Sequence, residues 1–557
     1  MRVGVFICHC GTNIAETIHI PTVKQAVQTI PHVCYVEDTV YLCATEGLKF
    51  LQDAIVEQRL ERVVVASCTP RTHEDLFKST CHEAGLNPHL CELVNIREQC
   101  AWVHKHEPER TTEKAIELIR MGIEKAILLR PLQDLEIEVE PAVLIIGAGI
   151  AGITAALNIS EQGIKVYLIE IEAGVGGILK KIHTLFPSNR DATELLTHYT
   201  NELINSDNIT VFTSSTVKRV DGVIGNYHVV LEQGNDEHDL AVGTIIVATG
   251  AQELKPIGLY GYGASERIVT QLEFEHLFHE NLFETVKNVV MIQCAGAKGI
   301  DSVNYCSRTC CIIALKNAIL IKKTDLEINV YVLYIDMQTH SPLYEEYYLK
   351  AREAGVKFVA YDLHDPPTVA INSDRHQVTV YNRVLEEEVE IPCDLVVVST
   401  PETQSKNAVD LSQLLKVPLG PDQFFSEAHM KLRPAEFVNE GIYVCGAAHF
   451  PKDINETIIS ALAAAAKAVI PVKKKKLRIA PVTAKVEKQK CNSCGLCVAI
   501  CPYQAVELEP KTGIATVLEV KCKGCGICSS ACRSQAIHIH NYTDNQIVTM
   551  IQSILSK

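Results

Sequence analysis

The cysteines carry the clearest chemical pattern in this sequence of 557 residues, of which 22 are cysteine. Two late runs repeat the spacing Cys-x2-Cys-x2-Cys-x3-Cys, and Pro502 follows the first run directly. Such spacing lets three thiolates wrap one 4Fe-4S cluster while the fourth cysteine reaches the neighbouring cluster. Zinc is the alternative, but zinc ribbons lack a doubled four-cysteine run. We therefore expect two clusters, one held by Cys491, Cys494, Cys497 and Cys532 and the other by Cys522, Cys525, Cys528 and Cys501.

A glycine-rich turn directly follows an apolar run in the segment AVLIIGAGIAG. Gly147 allows the tight turn, Gly149 lets backbone amides approach a pyrophosphate, and Gly152 allows a helix to pack closely. Glu170 ends the next strand-like run, where an acidic side chain takes the hydroxyls of a ribose. The combination predicts a dinucleotide site.

Further glycines favour FAD over NAD as the bound nucleotide. The pair Gly176 and Gly177, and Gly250 within TIIVATGA, resemble the flavoproteins that have two dinucleotide domains, the thioredoxin-reductase-like fold. Gly446 lies in the later segment YVCGAAHF, which resembles the final flavin-binding motif of such proteins. We therefore predict an FAD-binding core.

Flavoproteins of that kind carry a second glycine-rich turn, for NAD(P)H, and here cysteines stand in its place. The expected strand NVVMIQ leads into CAGAKG, and more thiols follow within a few residues. One interpretation is that a 4Fe-4S cluster has replaced the pyridine nucleotide. A redox disulfide or incidental thiols are the alternatives, although adjacent cysteines rarely bridge without strain. The candidate ligands are Cys294, Cys306, Cys310 and Cys311.

Four cysteines near the start of the sequence follow apolar runs. Because strand ends at one edge of a parallel sheet lie close together, widely separated cysteines there can converge. From the residues alone, a fourth cluster and structural thiols stay equally open for Cys8, Cys10, Cys43 and Cys68. Six other cysteines show no pattern and are predicted to be buried, inert thiols: Cys34, Cys81, Cys91, Cys100, Cys393 and Cys445.

The elements that must position these residues alternate between strand-like and helical patterns, which predicts an α/β fold with parallel sheets. We expect an α/β domain at 1–135, a flavin domain at 140–472, and an α+β domain of the bacterial two-cluster ferredoxin type at 485–557. PVKKKKLR before the last domain is predicted to be a solvated tether. The single tryptophan, Trp102, is predicted to lie in the core.

Composition excludes several functional classes. With 52 basic and 67 acidic residues the net charge is −15, which disfavours binding to nucleic acid. No signal peptide is visible, and the apolar stretch from Ile458 to Ile470 is predicted to end at Pro471, too short for a membrane span. A cytoplasmic protein is therefore expected, where cysteines serve as metal ligands rather than in disulfides.

Several segments together resemble the A-type component of heterodisulfide reductase: FICHCGTNI, ASCTPRTHEDLF, AGLNP, NIREQCAWVH, CSRTCC, LEFE and YVCGAAHFPKDINET. The resemblance implies an FAD that splits electron pairs, or merges them, between a ferredoxin branch and a CoM-CoB-type disulfide branch. It also implies that the N-terminal cysteines hold a cluster, which makes four 4Fe-4S clusters in all. Lys452 and Glu273 are implied to lie near the isoalloxazine because matching segments flank it in related folds.

The resemblance also implies partners. Disulfide reduction belongs to a separate heterodisulfide reductase subunit of the B type, which is reached through a subunit of the C type. Electrons would enter from a hydrogenase, a formate dehydrogenase or reduced ferredoxin. A self-dimer within a larger complex is expected. The chain departs from many relatives because no cysteine lies between Cys100 and Cys294, so an inserted ferredoxin domain is expected to be missing. Two other functions stay open: a flavin electron carrier that does not bifurcate, and a pyridine-nucleotide oxidoreductase like the small chain of glutamate synthase.

Overall fold

The computed structural model describes residues 1–280, 286–299, 303–479 and 481–555. It divides into two compact units, one formed by Met1–Glu136 together with Arg478–Lys557, and the other by Ile137–Leu477. The first and last segments of the chain, for which the sequence predicts separate domains, therefore lie in the same unit.

The N-terminal segment is a parallel four-stranded sheet with the strand order β2-β1-β3-β4. Every residue of β1 is buried, and so is every residue of β3 after Arg62. The strands are β1 (Val3–Cys8), β2 (Val33–Thr39), β3 (Arg62–Ser67) and β4 (Cys91–Asn95), and the helices are α1 (Gly11–Ile14), α2 (Ile20–Gln28), α3 (Thr45–Glu57), α4 (Pro70–Glu83) and α5 (Pro108–Ile127).

The second unit begins with a parallel five-stranded sheet in the order β23-β12-β6-β7-β8, beside an antiparallel sheet of β9, β10 and β11. Helix α6 follows the glycine turn and is buried on nearly every face, so its residues are almost all apolar. The elements are β5 (Leu135–Glu138), β6 (Ala142–Ile146), α6 (Ile150–Ser160), β7 (Lys165–Ile169), α7 (Ala192–Ile204), β8 (Ile209–Phe212), β9 (Ser215–Val223), β10 (Asn226–Gln233), β11 (Asp236–Val242), β12 (Thr244–Val247) and β23 (Ile442–Val444).

A second parallel five-stranded sheet, in the order β14-β21-β15-β16-β17, repeats this plan with a small antiparallel sheet of β18, β19 and β20. Strands β13 and β22 pair antiparallel where the chain passes between the two halves. The elements are β13 (Ala251–Glu253), β14 (Ile268–Thr270), α8 (Gln271–His279), β15 (Asn288–Ile292), α9 (Cys310–Thr324), β16 (Asn329–Tyr334), α10 (Pro342–Glu353), β17 (Lys357–Ala360), β18 (Thr368–Ala370), β19 (His376–Asn382), β20 (Glu387–Cys393), β21 (Leu395–Val398), β22 (Glu402–Gln404) and α11 (Ala408–Leu415).

Helix α12 (Ile454–Lys474) shows that the sequence-based expectation at Pro471 was wrong. The helix begins with a capping box between Asp453 and Glu456 and continues through Pro471, which is buried. By length and composition alone it could cross a membrane. However, alanines along one side of α12 pack into the core of this unit, which accounts for its apolar composition.

The tail carries β24 (Lys476–Ile479), β25 (Ala484–Val486), α13 (Leu496–Ala499), β26 (Val506–Leu508), β27 (Ala515–Val517), α14 (Ile527–Ala531), β28 (Ile537–Ile539) and α15 (Asp544–Leu555). The basic segment PVKKKKLR forms the end of α12 and the beginning of β24, so it is not a tether, although its lysines are exposed to solvent as predicted. Two short antiparallel pairs, β25 with β28 and β26 with β27, frame the late cysteines.

Buried polar contacts hold the tail against the N-terminal segment within their common unit. The backbone N–H of Arg130 donates to Oδ1 of Asn541 at 3.0 Å, and Nδ2 of Asn541 donates back to the carbonyl of Arg130 at 3.1 Å. Gln546 on α15 donates to the carbonyl of Leu128 at 3.2 Å. Asn541 and Gln546 are both buried, so these contacts exclude water.

Two predictions of burial are wrong. Cys34 is exposed, whereas the other five cysteines without a pattern are buried. Trp102 is 51% exposed and lies beneath the guanidinium of Arg97, 4.9 Å from the ring centroid. A cation-π contact therefore takes the place of core packing for this tryptophan.

Candidate functional site

The candidate residues lie at the switch points of the three parallel sheets, between β1 and β3, β6 and β12, and β15 and β21. A switch point is where the strand order reverses, so the loops beyond the strand ends diverge and leave a crevice for a ligand. The N-terminal cysteines lie at the first switch point, the glycine turn at the second and Cys294 at the third.

The glycine turn after β6 is packed tightly on its inner side and open above. A Cβ atom on Gly147 would lie 2.4 Å from the carbonyl oxygen of Ala248, and one on Gly152 would lie 1.8 Å from the carbonyl oxygen of Gly147. A Cβ on Gly149 would have only the Cα of Gly177 within reach, at 4.0 Å. The turn is therefore a cradle whose open side lies at Gly149, as a pyrophosphate requires.

Backbone contacts orient Glu170 beside this turn. Its carboxylate is buried and accepts hydrogen bonds from the N–H of Ala148 at 2.8 Å and from the N–H of Glu172 at 2.9 Å. The N–H of Gly176 donates to the carbonyl of Ala148, which presses the second glycine pair against the first turn. These contacts place an acidic side chain where a ribose would bind.

A cleft of about 2370 Å³ runs from this turn to the ends of β12 and β21. This volume exceeds the roughly 300–1,000 Å³ of ordinary ligand pockets. Thr249 and Thr400 are among the residues that line the cleft, and their hydroxyls are buried and have no hydrogen-bond partner among the described residues. Such hydroxyls cost free energy unless a ligand satisfies them. The cradle, the oriented carboxylate and these hydroxyls together fit FAD.

The two remaining expected flavin glycines have left-handed backbones, with φ of +65° at both Gly250 and Gly446. The N–H of Gly446 donates to the hydroxyl of Ser460 at 2.9 Å. Lys452 also contacts Gly446, since its Nζ donates to the carbonyl there at 3.1 Å. Burial lowers the pKa of Lys452 to about 7, although the carboxylate of Glu456 opposes this shift.

Glu273 also lines the cleft, but its carboxylate already has partners. It accepts from the N–H of Thr270 in the capping box that begins α8, from Nζ of Lys255 and from the hydroxyl of Tyr262. These contacts assign Glu273 a structural task at the beginning of α8.

Sequence reasoning missed a buried ion pair on the wall of the cleft. Lys316 on α9 and Glu275 on α8 form a hydrogen-bonded salt bridge, and both side chains are at most 7% exposed. Lys316 also donates to the carbonyl of Thr184 at 2.9 Å. No local pattern marks this pair, because its members are 41 residues apart and meet only in the folded protein.

The cysteines of the third switch point surround the entry to α9. Cys294 follows β15 with φ of +61°, and Cys310 and Cys311 are the first residues of α9. Burial first, and Cys311 second, raise the pKa of Cys294 to about 12. The N–H of Arg308 donates to Sγ of Cys306 at 3.3 Å. Cys310 lines the cleft, so this group of thiols lies beside the proposed flavin position.

The N-terminal cysteines gather at the carboxyl edge of their sheet. Burial first, together with the nearby thiols of Cys10 and Cys43, raises the pKa of Cys8 to about 11, whereas the N–H of Leu42 opposes the shift. Burial also raises the pKa of Cys68, whereas the positive charge of the Arg97 guanidinium lowers this pKa. Arg97, which no spacing pattern in the sequence marks, is the cation that faces this group.

The tail cysteines occupy two matching loops. The N–H of Ala505 donates to Sγ of Cys501, and the N–H of Ala536 donates to Sγ of Cys532, both at 3.3 Å. Burial first, and then neighbouring thiols, raise the pKa of Cys528 to about 11; these thiols are those of Cys522, Cys525, Cys501 and Cys497. Cys501 of the first run therefore lies near the second run.

The chemistry of these donor sets fits iron-sulfur clusters. Buried thiols with raised pKa values would not ionise alone, but iron stabilises the thiolate form. Within the described ranges no three His, Cys, Asp or Glu side chains converge as they would around a single ion. Thiolates that ligate a cube of four irons stand further apart than that.

Comparisons with known proteins agree with this arrangement. The family model of pyridine nucleotide-disulphide oxidoreductases matches residues 141–468, and that of the 4Fe-4S dicluster domain matches residues 490–536. The chain is 36% identical to an A-type iron-sulfur component of the CoB–CoM heterodisulfide reductase of Methanopyrus kandleri, over 100% of this chain and 98% of the relative. That alignment has 664 positions against 557 residues here, so the relative carries segments that this chain lacks.

A second relative is the A-type component of the H2/formate:CoB-CoM heterodisulfide,ferredoxin reductase of Methanococcus maripaludis, which is 34% identical over 100% of this chain and 98% of that protein. Among solved structures, the thioredoxin reductase of T. acidophilum matches 60% of this chain and 99% of its own, with a TM-score of 0.42 and 17% identity.

Proposed function

This chain belongs to the A-type family of heterodisulfide reductase components, and we propose that it is the flavin hub of an electron-bifurcating or confurcating complex. It is an oxidoreductase that combines an FAD fold with a 4Fe-4S dicluster domain. One branch would serve ferredoxin and the other a CoM-CoB-type disulfide. The observation that carries the proposal is the position of Cys310, which belongs to a cysteine group and also lines the cleft of the glycine turn.

FAD takes up two electrons and can release them singly, whereas each 4Fe-4S cluster carries one electron. The residues of this chain bind and orient these groups. Gly147 and Gly152 allow the turn to pack closely, and Gly149 leaves its open side free for the pyrophosphate. Glu170 offers a fixed carboxylate to the ribose. Lys452, with a pKa near neutrality, would hold or release a proton at Nζ beside the flavin motif.

We propose four clusters on the sixteen cysteines of the three groups. Thiols of the second unit would exchange electrons with the flavin, and those of the tail with a ferredoxin. The N-terminal group would face a partner of the C type, through which electrons would reach the disulfide site of a partner of the B type. A hydrogenase or a formate dehydrogenase would supply electrons, as the name of the relative from Methanococcus maripaludis suggests. We also propose that two copies of the chain pair within the complex.

Iron and flavin analysis of anaerobically purified protein tests the cofactor set. We expect about 16 irons and one FAD per chain, and about 12 irons in Cys306→Ser. Cys34→Ser is the matched control, because this exposed thiol belongs to no group, and it should keep about 16. If the iron content of Cys306→Ser is unchanged, no cluster is bound beside the flavin, and the proposed electron-transfer route is wrong.

Electron counting tests bifurcation. The complex should reduce ferredoxin only while it also reduces the disulfide, in equal numbers of electrons. Ferredoxin reduction that continues without the disulfide would favour a carrier with a single route. Bleaching of the flavin by NADH would favour the pyridine-nucleotide alternative, which is disfavoured because Cys294 replaces the second glycine-rich turn.

A further inference from the structure

Strand β22 is only three residues long, yet its two ends contact both halves of the candidate site. At one end Gln404 is buried, and its Nε2 donates to the carbonyl of Ala448 at 2.9 Å, next to the flavin glycine Gly446. At the other end Glu402 contacts the loop that carries Cys306. The strand therefore spans the space between the flavin motif and the cysteine loop.

Three hydrogen bonds join Glu402 to alternate residues of that loop. The hydroxyl of Tyr305 donates to the carbonyl of Glu402 at 2.9 Å, and the N–H of Glu402 donates to the hydroxyl of Ser307 at 2.8 Å. The hydroxyl of Thr309 donates to Oε1 of Glu402 at 2.8 Å. These three residues flank Cys306 and lead directly into Cys310, so one acidic residue fixes the backbone that carries two thiols.

The use of Thr309 is informative because it is the N-cap residue of α9. A threonine there ordinarily accepts a hydrogen bond from the first turn of the helix, which stabilises the helix. Here its side chain makes no capping hydrogen bond and turns to Glu402 instead. The helix thus forgoes a local stabilisation, and the contact with Glu402 replaces it.

The strand is itself held in place. Glu402 pairs with Glu253 and Gln404 pairs with Ala251 in the antiparallel register of β13 and β22. β13 follows Gly250 directly and β22 follows Thr400 and Pro401, so both strands begin next to residues that line the cleft. A displacement of Glu402 would therefore be transmitted to the cysteine loop and not absorbed by β22.

We propose that Glu402 is a positioning residue that sets the distance and orientation of the Cys306–Cys310 loop relative to the flavin motif. The inference rests on the proposed function, because it concerns the cluster of that group. Glu402 acts through Thr309 and the loop backbone, and it needs no contact with the irons.

The test uses the full chain with its cofactors, purified without oxygen. The EPR signal that Cys306→Ser removes identifies the cluster, and its midpoint potential is then measured in variants. Thr309→Val removes the hydrogen bond without changing charge, and Thr309→Ser restores it. Glu402→Gln keeps an oxygen acceptor, whereas Glu402→Ala does not. Thr379→Val and Glu390→Ala are the controls, since these residues face each other on β19 and β20.

We expect Thr309→Val and Glu402→Ala to shift the potential of this cluster, and Thr309→Ser and both controls to leave it unchanged. When Thr309→Val is added to Glu402→Gln, the potential should shift further, because the glutamine still offers an oxygen to Thr309. When Thr309→Val is added to Glu402→Ala, the potential should not shift further, because the side-chain oxygen that Thr309 contacts is already missing. Equal potentials in Thr309→Val and Thr309→Ser would overturn the inference. A missing EPR difference in Cys306→Ser would instead overturn the proposed function.

Discussion

Replacing single glycines of the dinucleotide turn separates binding from folding. A Cβ on Gly149 would enter open space, with its nearest atom at 4.0 Å, whereas a Cβ on Gly152 would overlap the carbonyl oxygen of Gly147 at 1.8 Å. Gly149→Ala should therefore change the free energy of unfolding of the flavin-free protein by less than about 1 kcal/mol. Gly152→Ala should lower it by about 3 kcal/mol or more, because the backbone must move.

The binding of FAD should show the opposite order. In Gly149→Ala the new methyl group stands where the pyrophosphate would lie, and a steric cost of about 1–3 kcal/mol weakens binding roughly 5- to 150-fold. Fluorescence titration of flavin-free protein measures affinity, and urea denaturation measures stability. Gly174→Ala is the control, since a Cβ there meets nothing within 4 Å. Unchanged affinity in Gly149→Ala would refute a pyrophosphate above this turn.

Three further outcomes are expected. Glu275→Ala leaves the buried Lys316 without its carboxylate partner and should lower the free energy of unfolding, measured by urea denaturation, by about 3–5 kcal/mol. Glu346→Ala breaks an exposed ion pair and should lower the free energy of unfolding by at most about 0.5 kcal/mol. Cys501→Ser and Cys522→Ser should remove the same EPR signal if the fourth cysteine of the first run serves the second cluster, and different signals would contradict that assignment. Burial lowers the pKa of Lys452 from 10.5 to about 7, so between these pH values the unfolded chain binds a proton that the folded chain does not. Lys452→Met should therefore stabilise the protein most below pH 7, and this gain should shrink as the pH rises towards 10.5. A gain that stays constant in denaturation at several pH values would contradict the shift.

Local patterns predicted most of the fold that surrounds the flavin. The glycine turn, the strand before it and the acidic residue after it are close in sequence and act together, so one segment reveals all three. The expected strand NVVMIQ corresponds to β15 of the second parallel sheet, and the segment TIIVATGA contains β12 of the first. The doubled cysteine run is equally local, and it matches the dicluster family model.

The remaining features depend on contacts between distant residues. Glu402 lies in the short segment TPETQ, where nothing signals that its partners are Tyr305, Ser307 and Thr309. The helix past Pro471 continues because Pro471 and Val472 are buried in tertiary contacts, which outweigh the local tendency of proline to end a helix. The stabilisation from these contacts exists only in the folded chain, so no local sequence pattern reveals it.

The hydrogen bonds between Asn541 and Arg130 also have a consequence for the synthesis of the chain on the ribosome. Arg130 is made 411 residues before Asn541. At a ribosomal rate of about 5–20 residues per second, the interval is roughly 20–80 s. During this time the carbonyls of Leu128 and Arg130 have no partner from the tail, so the tail can join the N-terminal segment only after the whole second unit has been made. A product terminated before Asn541 would lack these hydrogen bonds.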